Sequence, residues 1–147
     1  MHNLPPMRLG KFLTSVLGGV GVLAAGVPAF LAGCGTAVDD RPVTWSYIYP
    51  AIIEPSCATA SCHSDFTRRA GVNFGYKDEA YYQLFDRHFV SPPTPPDPTC
   101  ATSVPGDSEL LYLLRAQGAD RMPPDFPLPE ADIATIQCWI TAGAQQN

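Results

Sequence analysis

Positive charge is scarce in this chain: nine lysines and arginines face fourteen aspartates and glutamates among 147 residues. Two of those cations, Arg8 and Lys11, precede an uncharged stretch over residues 12–30; without residues 1–33 the balance is seven against fourteen, a net charge near −7. Nucleic acids and anionic lipid surfaces are held by clustered cations, so the sequence equips the protein for neither. Strand signals are lacking too, since no segment alternates apolar and polar residues convincingly, and no segment repeats. What remains has helical period, and the expected fold class is all-α. The 114 residues beyond residue 33 suffice for one small domain and not two.

Residues 8–30, with cations first and the uncharged stretch after, have the n-region and h-region of an export signal. The stretch is just long enough for an uncleaved membrane anchor, although Gly18, Gly19, Gly21, Gly26 and Pro28 interrupt it. It ends in Leu31-Ala32-Gly33-Cys34, which resembles the lipobox of bacterial lipoproteins. That resemblance implies cleavage before Cys34, a diacylglycerol on its thiol and an acyl chain on the new amino group, enough to hold the protein on a membrane without a spanning segment. The expected organisation is a signal peptide over 1–33, a lipidated tether over 34–42 and one domain over 43–147. The expected location is the bacterial cell envelope, with the domain in the periplasm or at the cell surface. Gly35 stands where the lipoprotein sorting rule would want aspartate for retention at the inner membrane.

With Cys34 acylated, Cys57, Cys62, Cys100 and Cys138 remain. Four thiols in an oxidising compartment are not expected to stay free. They divide into two disulfides with three connectivities, or into a cofactor pair Cys57 and Cys62 and a disulfide Cys100–Cys138. The second division is prompted by Cys57-Ala58-Thr59-Ala60-Ser61-Cys62-His63. Two thiols followed at once by a histidine are what covalent c-type haem attachment uses: the thiols add to the haem vinyl groups and the imidazole ligates the iron. Four residues separate these cysteines, where two are usual. The competing reading is a short Cys57–Cys62 disulfide with His63 an exposed bystander. No second histidine cluster accompanies Cys100 and Cys138, so a disulfide there outweighs a metal role.

Met122 is the candidate second ligand. Met1 and Met7 leave with the signal, so it is the one thioether of the mature chain, and Pro123 bars it from continuing a helix. Its ordinary alternative is a flexible core filler. His88 is the rival ligand, placed by its spacing from Tyr81, Leu84 and Phe85 on the apolar stripe of a helix capped by Asp78. Trp45, Ile48 and Ile52 share a helical face over 43–53 that Pro50 should break or kink. Asp107 is a plausible cap for a helix burying Leu110, Leu111 and Leu114, and a last helix over 130–142 should bury Ile133, Ile136 and Ile140 and stop at Gly143. Five of sixteen prolines fall in 91–98, which reads as a stiff extended loop.

Taken in order, the cysteine motif, Gly71-Val72-Asn73-Phe74, residues 104–111, Met122-Pro123-Pro124 and residues 136–144 resemble planctomycete-type cytochrome c domains across nearly all of 43–145. The resemblance implies a small class I cytochrome c fold: about four helices round one haem, joined by proline-rich loops. Carried onto this sequence, Cys57 and Cys62 would attach haem c and His63 and Met122 would ligate its iron. The implied function is a monohaem electron carrier, not an enzyme, with an unnamed redox protein as partner and no small-molecule substrate. Met/His ligation would favour ferrous iron and a comparatively high potential. The readings from other classes are a haem-free, disulfide-stapled surface lipoprotein acting as an interaction module, and a haem protein with an open sixth position.

Overall fold

The computed structural model describes residues 39–101 and 108–147. Cys34 and its lipobox, and Asp107, lie outside the described residues. Those described form a small all-α domain of about four helical segments, without a β-strand among them. The first segment is a composite rod of α1 (Trp45–Ile48), a π-helical stretch (Tyr49–Ile53) and α2 (Glu54–Cys57). There follow α3 (Lys77–Asp86), α4 (Glu109–Arg115) and α5 (Glu130–Thr141), with short 3₁₀ turns at Arg69–Gly71 and Gly118–Asp120.

The composite rod shows how the chain accommodates Pro50. Proline donates no hydrogen bond and its ring crowds the carbonyl four residues earlier, which favours a break. Instead the helix widens by one residue: the Glu54 amide donates to the Tyr49 carbonyl, the i to i+5 bonding of a π-turn. The rod therefore continues to Cys57. Trp45, Ile48, Tyr49, Ile52 and Ile53 are all buried along it.

Its partner is α5, where Ile133, Ile136, Trp139 and Ile140 are buried at helical spacing. The Trp45 and Trp139 rings stack with centroids 5.2 Å apart, and Tyr81 of α3 meets both edge-on, at 5.7 and 6.3 Å. Each polar tip in this aromatic core reaches a carbonyl: Trp45 Nε1 donates to Lys77 at 3.3 Å, Trp139 Nε1 to Gln145 at 2.9 Å and Tyr81 Oη to Ala144 at 3.0 Å. Left unpaired in the core, each of these groups would offset about 1–3 kcal/mol of what burying its ring gains. α5 stops as its sequence predicts. Gly143 takes φ 104°, the Ala144 amide bonds Trp139 O at 2.8 Å and the Gly143 amide bonds Ile140 O at 3.0 Å, a paired Schellman ending that favours glycine in the left-handed position.

Two expectations about the middle of the chain are corrected. α3 begins at Lys77 with Tyr76 in the cap position, so Asp78 sits inside the first turn, where its charge still suits the helix dipole. The helix ends at Asp86. His88 is beyond it, exposed and at φ 58°, so it does not lie on the apolar stripe. In α4, Leu110, Leu111 and Leu114 are buried. Ser108 holds the cap position, and its hydroxyl accepts from the Ser91 amide at 2.9 Å and donates to the Ser91 carbonyl at 3.2 Å. That reciprocal pair ties the proline-rich loop to the start of α4. The same loop reaches α5 through the Cys100–Cys138 disulfide, with a Cα separation of 5.0 Å.

Candidate functional site: an apolar cavity at the cysteine pair

α2 delivers Cys57 to the edge of the core, and the chain then folds back on itself. The His63 amide donates to Cys57 O at 3.1 Å, the Cys62 amide to Thr59 O at 2.9 Å and the Phe74 amide to His63 O at 2.7 Å. Buried Asn73 fixes the return: its amide donates to Gln83 Oε1 at 2.8 Å, and its Oδ1 accepts from the Gly75 amide at 2.9 Å. A side chain on Gly75 would meet the Asp65 amide nitrogen at 3.0 Å, so the close approach of these two loop segments favours glycine.

Between this loop, α4 and the Met122 loop lies a cavity of about 240 Å³. Its lining combines Cys57, Cys62 and His63 with Val72, Phe74 and Phe89, with Leu110, Leu113 and Leu114 of α4, and with Met122, Pro123 and Pro124; Ser56, Arg69 and Ala70 complete it. The Met122 amide donates to Leu113 O at 2.9 Å. The Arg121 guanidinium bonds Pro123 O at 3.4 Å and Pro124 O at 2.9 Å, which curls the loop round its own side chain. Cys57, Cys62, His63 and Met122, spread over 66 positions of sequence, thus line one cavity. His88, Cys100 and Cys138 are not part of its lining, and Trp45 and Trp139 belong to the core instead. Sequence reasoning passed over Leu113 and Phe89; Leu113 lies three residues from Leu110 on α4, a spacing that could have marked it.

The polar groups of the wall differ sharply. Cys57 and Cys62 are both free thiols. The Cys57 side chain packs against the core, and burial pushes its thiol up to about 12, with the neighbouring Cys62 adding to the rise. Hydrogen bonds from Thr59 and Ser61 hold the Cys62 thiol below the ordinary value, helped by the charge of Arg69. Burial lowers His63, leaving a neutral imidazole near pH 7. Its Nδ1 lies 3.1 Å from Arg69 O; a carbonyl only accepts, so Nδ1 carries the proton.

No family model, no curated protein and no solved structure matches this chain.

The haem reading is corrected by the arrangement of these groups. Among the described residues no group of three or more histidine, cysteine, aspartate and glutamate side chains is placed to hold a metal ion. The disulfide present joins Cys100 to Cys138. The cavity is about 240 Å³, below the ~300–1,000 Å³ of sites that enclose drug-sized ligands. The two thiols expected to add equivalently to one macrocycle stand in opposite environments. The assignments of haem c as cofactor, of iron binding, and of a cytochrome c carrying single electrons are therefore set aside, and with them the Met/His potential.

Proposed function

We propose that this protein is a haem-free, disulfide-stapled lipoprotein module that binds a compact apolar molecule in the cavity lined by Cys57, His63, Leu113 and Met122. The observation that carries the reading is the cavity itself, about 240 Å³ with a lining drawn mostly from Val, Leu, Phe, Met and Pro side chains. Its size sets the ligand class. A cavity of ~150 Å³ takes one benzene ring, so this one suits two fused rings or their equivalent. Binding is driven by removal of apolar surface from water, and the few polar groups on one wall orient the guest. On this reading the scaffold is a class I cytochrome c-like one put to use without haem. Cys34 tethers it by lipid to a membrane of the bacterial envelope, with the acidic domain facing the aqueous side. Apolar binding by itself makes and breaks no bond in the guest, and on this reading the protein acts as a carrier or receptor.

The test uses Met122 as a reporter, because the chain has three methionines and the other two, Met1 and Met7, are in the signal region. Full-length protein carrying ¹³C-methyl methionine, held in micelles, is titrated with naphthalene. The Met122 methyl resonance should move saturably under the ring current, and Leu113→Trp, which fills the cavity, should abolish the shift. An unmoved methyl, or one that moves identically in the variant, contradicts the proposal.

A further inference from the structure

Two free thiols line this cavity together, and nothing in apolar binding needs both of them. Their loop is short and closed: the His63 amide returns to Cys57 O at 3.1 Å, so the backbone after Cys62 is bonded to the residue that carries the other thiol. Both residues are half-buried, and the sulfurs differ in what they meet. Cys57 packs against the core, whereas Ser61 Oγ lies 3.6 Å from Cys62 Sγ at the exposed end of the loop. An outward thiol that attacks, followed by an inward one that resolves, is the working arrangement of a dithiol exchange site.

The geometry points to a thiol–disulfide exchange site in which Cys62 attacks, Cys57 resolves, and the substrate is a disulfide bearing a small aromatic or apolar group that seats in the cavity. The assignment rests on the haem-free reading. In the first step the Cys62 sulfur bonds to one sulfur of the substrate, whose S–S bond breaks, and the proton of Cys62 leaves with the departing thiol. In the second the Cys57 sulfur bonds to Cys62 Sγ, the mixed disulfide breaks, and the Cys57 proton goes to the second departing thiol. The pair is oxidised to Cys57–Cys62, and the substrate disulfide is the oxidant, reduced to two thiols. The electrostatics agree with the order: hydrogen bonds from Thr59 and Ser61 lower the Cys62 thiol, while burial raises that of Cys57. The Cys100–Cys138 bridge takes no part.

The probe is 2,2′-dithiodipyridine, a neutral aromatic disulfide whose reduction releases pyridine-2-thione and is followed by absorbance. Wild type with Cys34 lipidated should release two equivalents from Cys57 and Cys62 and finish with a Cys57–Cys62 cross-link and no pyridyl adduct on either by peptide mass. Cys57→Ser should stop at one equivalent with the adduct trapped on Cys62, and Cys62→Ser should react about tenfold more slowly or worse. Leu113→Trp should slow the first step in wild type without slowing a small hydrophilic disulfide to the same degree. Wild type that ends with a pyridyl group on each cysteine, or Cys62→Ser as fast as wild type, overturns exchange while leaving the binding reading intact. Haem retained on the denatured chain with no titratable thiol overturns both.

Discussion

Replacing Cys100 and Cys138 together by serine tests what holds the Met122 wall of the cavity in place. The bridge closes a loop of 38 residues, which contains α4 and the Met122 loop. A cross-link acts mainly by removing freedom from the unfolded chain; for a loop of this length the chain-entropy treatment gives about 4 kcal/mol at 25 °C, and about 2–4 kcal/mol is commonly measured. A small domain has only ~5–15 kcal/mol of stability in all, so the loss should be plain. With a urea slope of ~1–3 kcal/mol/M, the unfolding midpoint should fall by about 0.7–4 M. Fluorescence of Trp45 and Trp139 is the assay, because the two are the only tryptophans and stack in the core. The same variant should weaken the naphthalene-induced shift at Met122, since α4 and the Met122 loop would be less confined. An unchanged midpoint together with an unchanged shift refutes the argument that the bridge confines this wall.

Three further outcomes follow from particular residues. His63 is lowered by burial, so the unfolded chain takes up its proton first as pH falls; stability should be fully present above about 6.5, the ordinary histidine value, and decline as pH drops toward the folded value. His63→Gln should flatten that part of a denaturation-midpoint profile, and an identical slope in both proteins would contradict it. Trp139→Ala should cost about 3–5 kcal/mol, read from the urea midpoint, and a loss below 1 kcal/mol would mean the stacked pair is not the centre of the core. Labelled palmitate should enter the wild type, and Cys34→Ser should accumulate as the longer precursor; unlabelled, detergent-independent protein would remove the lipid tether from the account.

The helices that read clearly from sequence are those whose apolar spacing decides their packing. Ile133, Ile136 and Ile140 recur at helical spacing beside Trp139, and Gly143 supplies the one conformation that ends the helix, so composition and position agree there. Pro50 was harder, because a missing donor can be met by a break, a kink or a widened turn; the buried Tyr49, Ile52 and Ile53 on either side make the widened turn preferable. His88 misled because its spacing continues a helix that the backbone has already left at Asp86. The convergence of Cys57, Cys62, His63 and Met122 on one place was legible as a motif with a remote partner. Its chemistry was not. Whether two thiols act alike depends on what surrounds each sulfur, and the cavity is lined also by Leu113, Phe89 and Val72, which come from three separate segments. Neither quantity is carried by spacing along a chain.

The central claim, that the cavity serves an apolar guest and not haem, is tested most directly by intact mass on the denatured protein after export from a host with active cytochrome c maturation. Thioether attachment survives denaturation, so the two readings differ by a covalent group rather than by an affinity. The account predicts the mass of the processed, lipidated chain with one disulfide, two alkylatable thiols at Cys57 and Cys62, and no haem absorbance. A polypeptide carrying one covalent haem, with both of those thiols blocked, would contradict it.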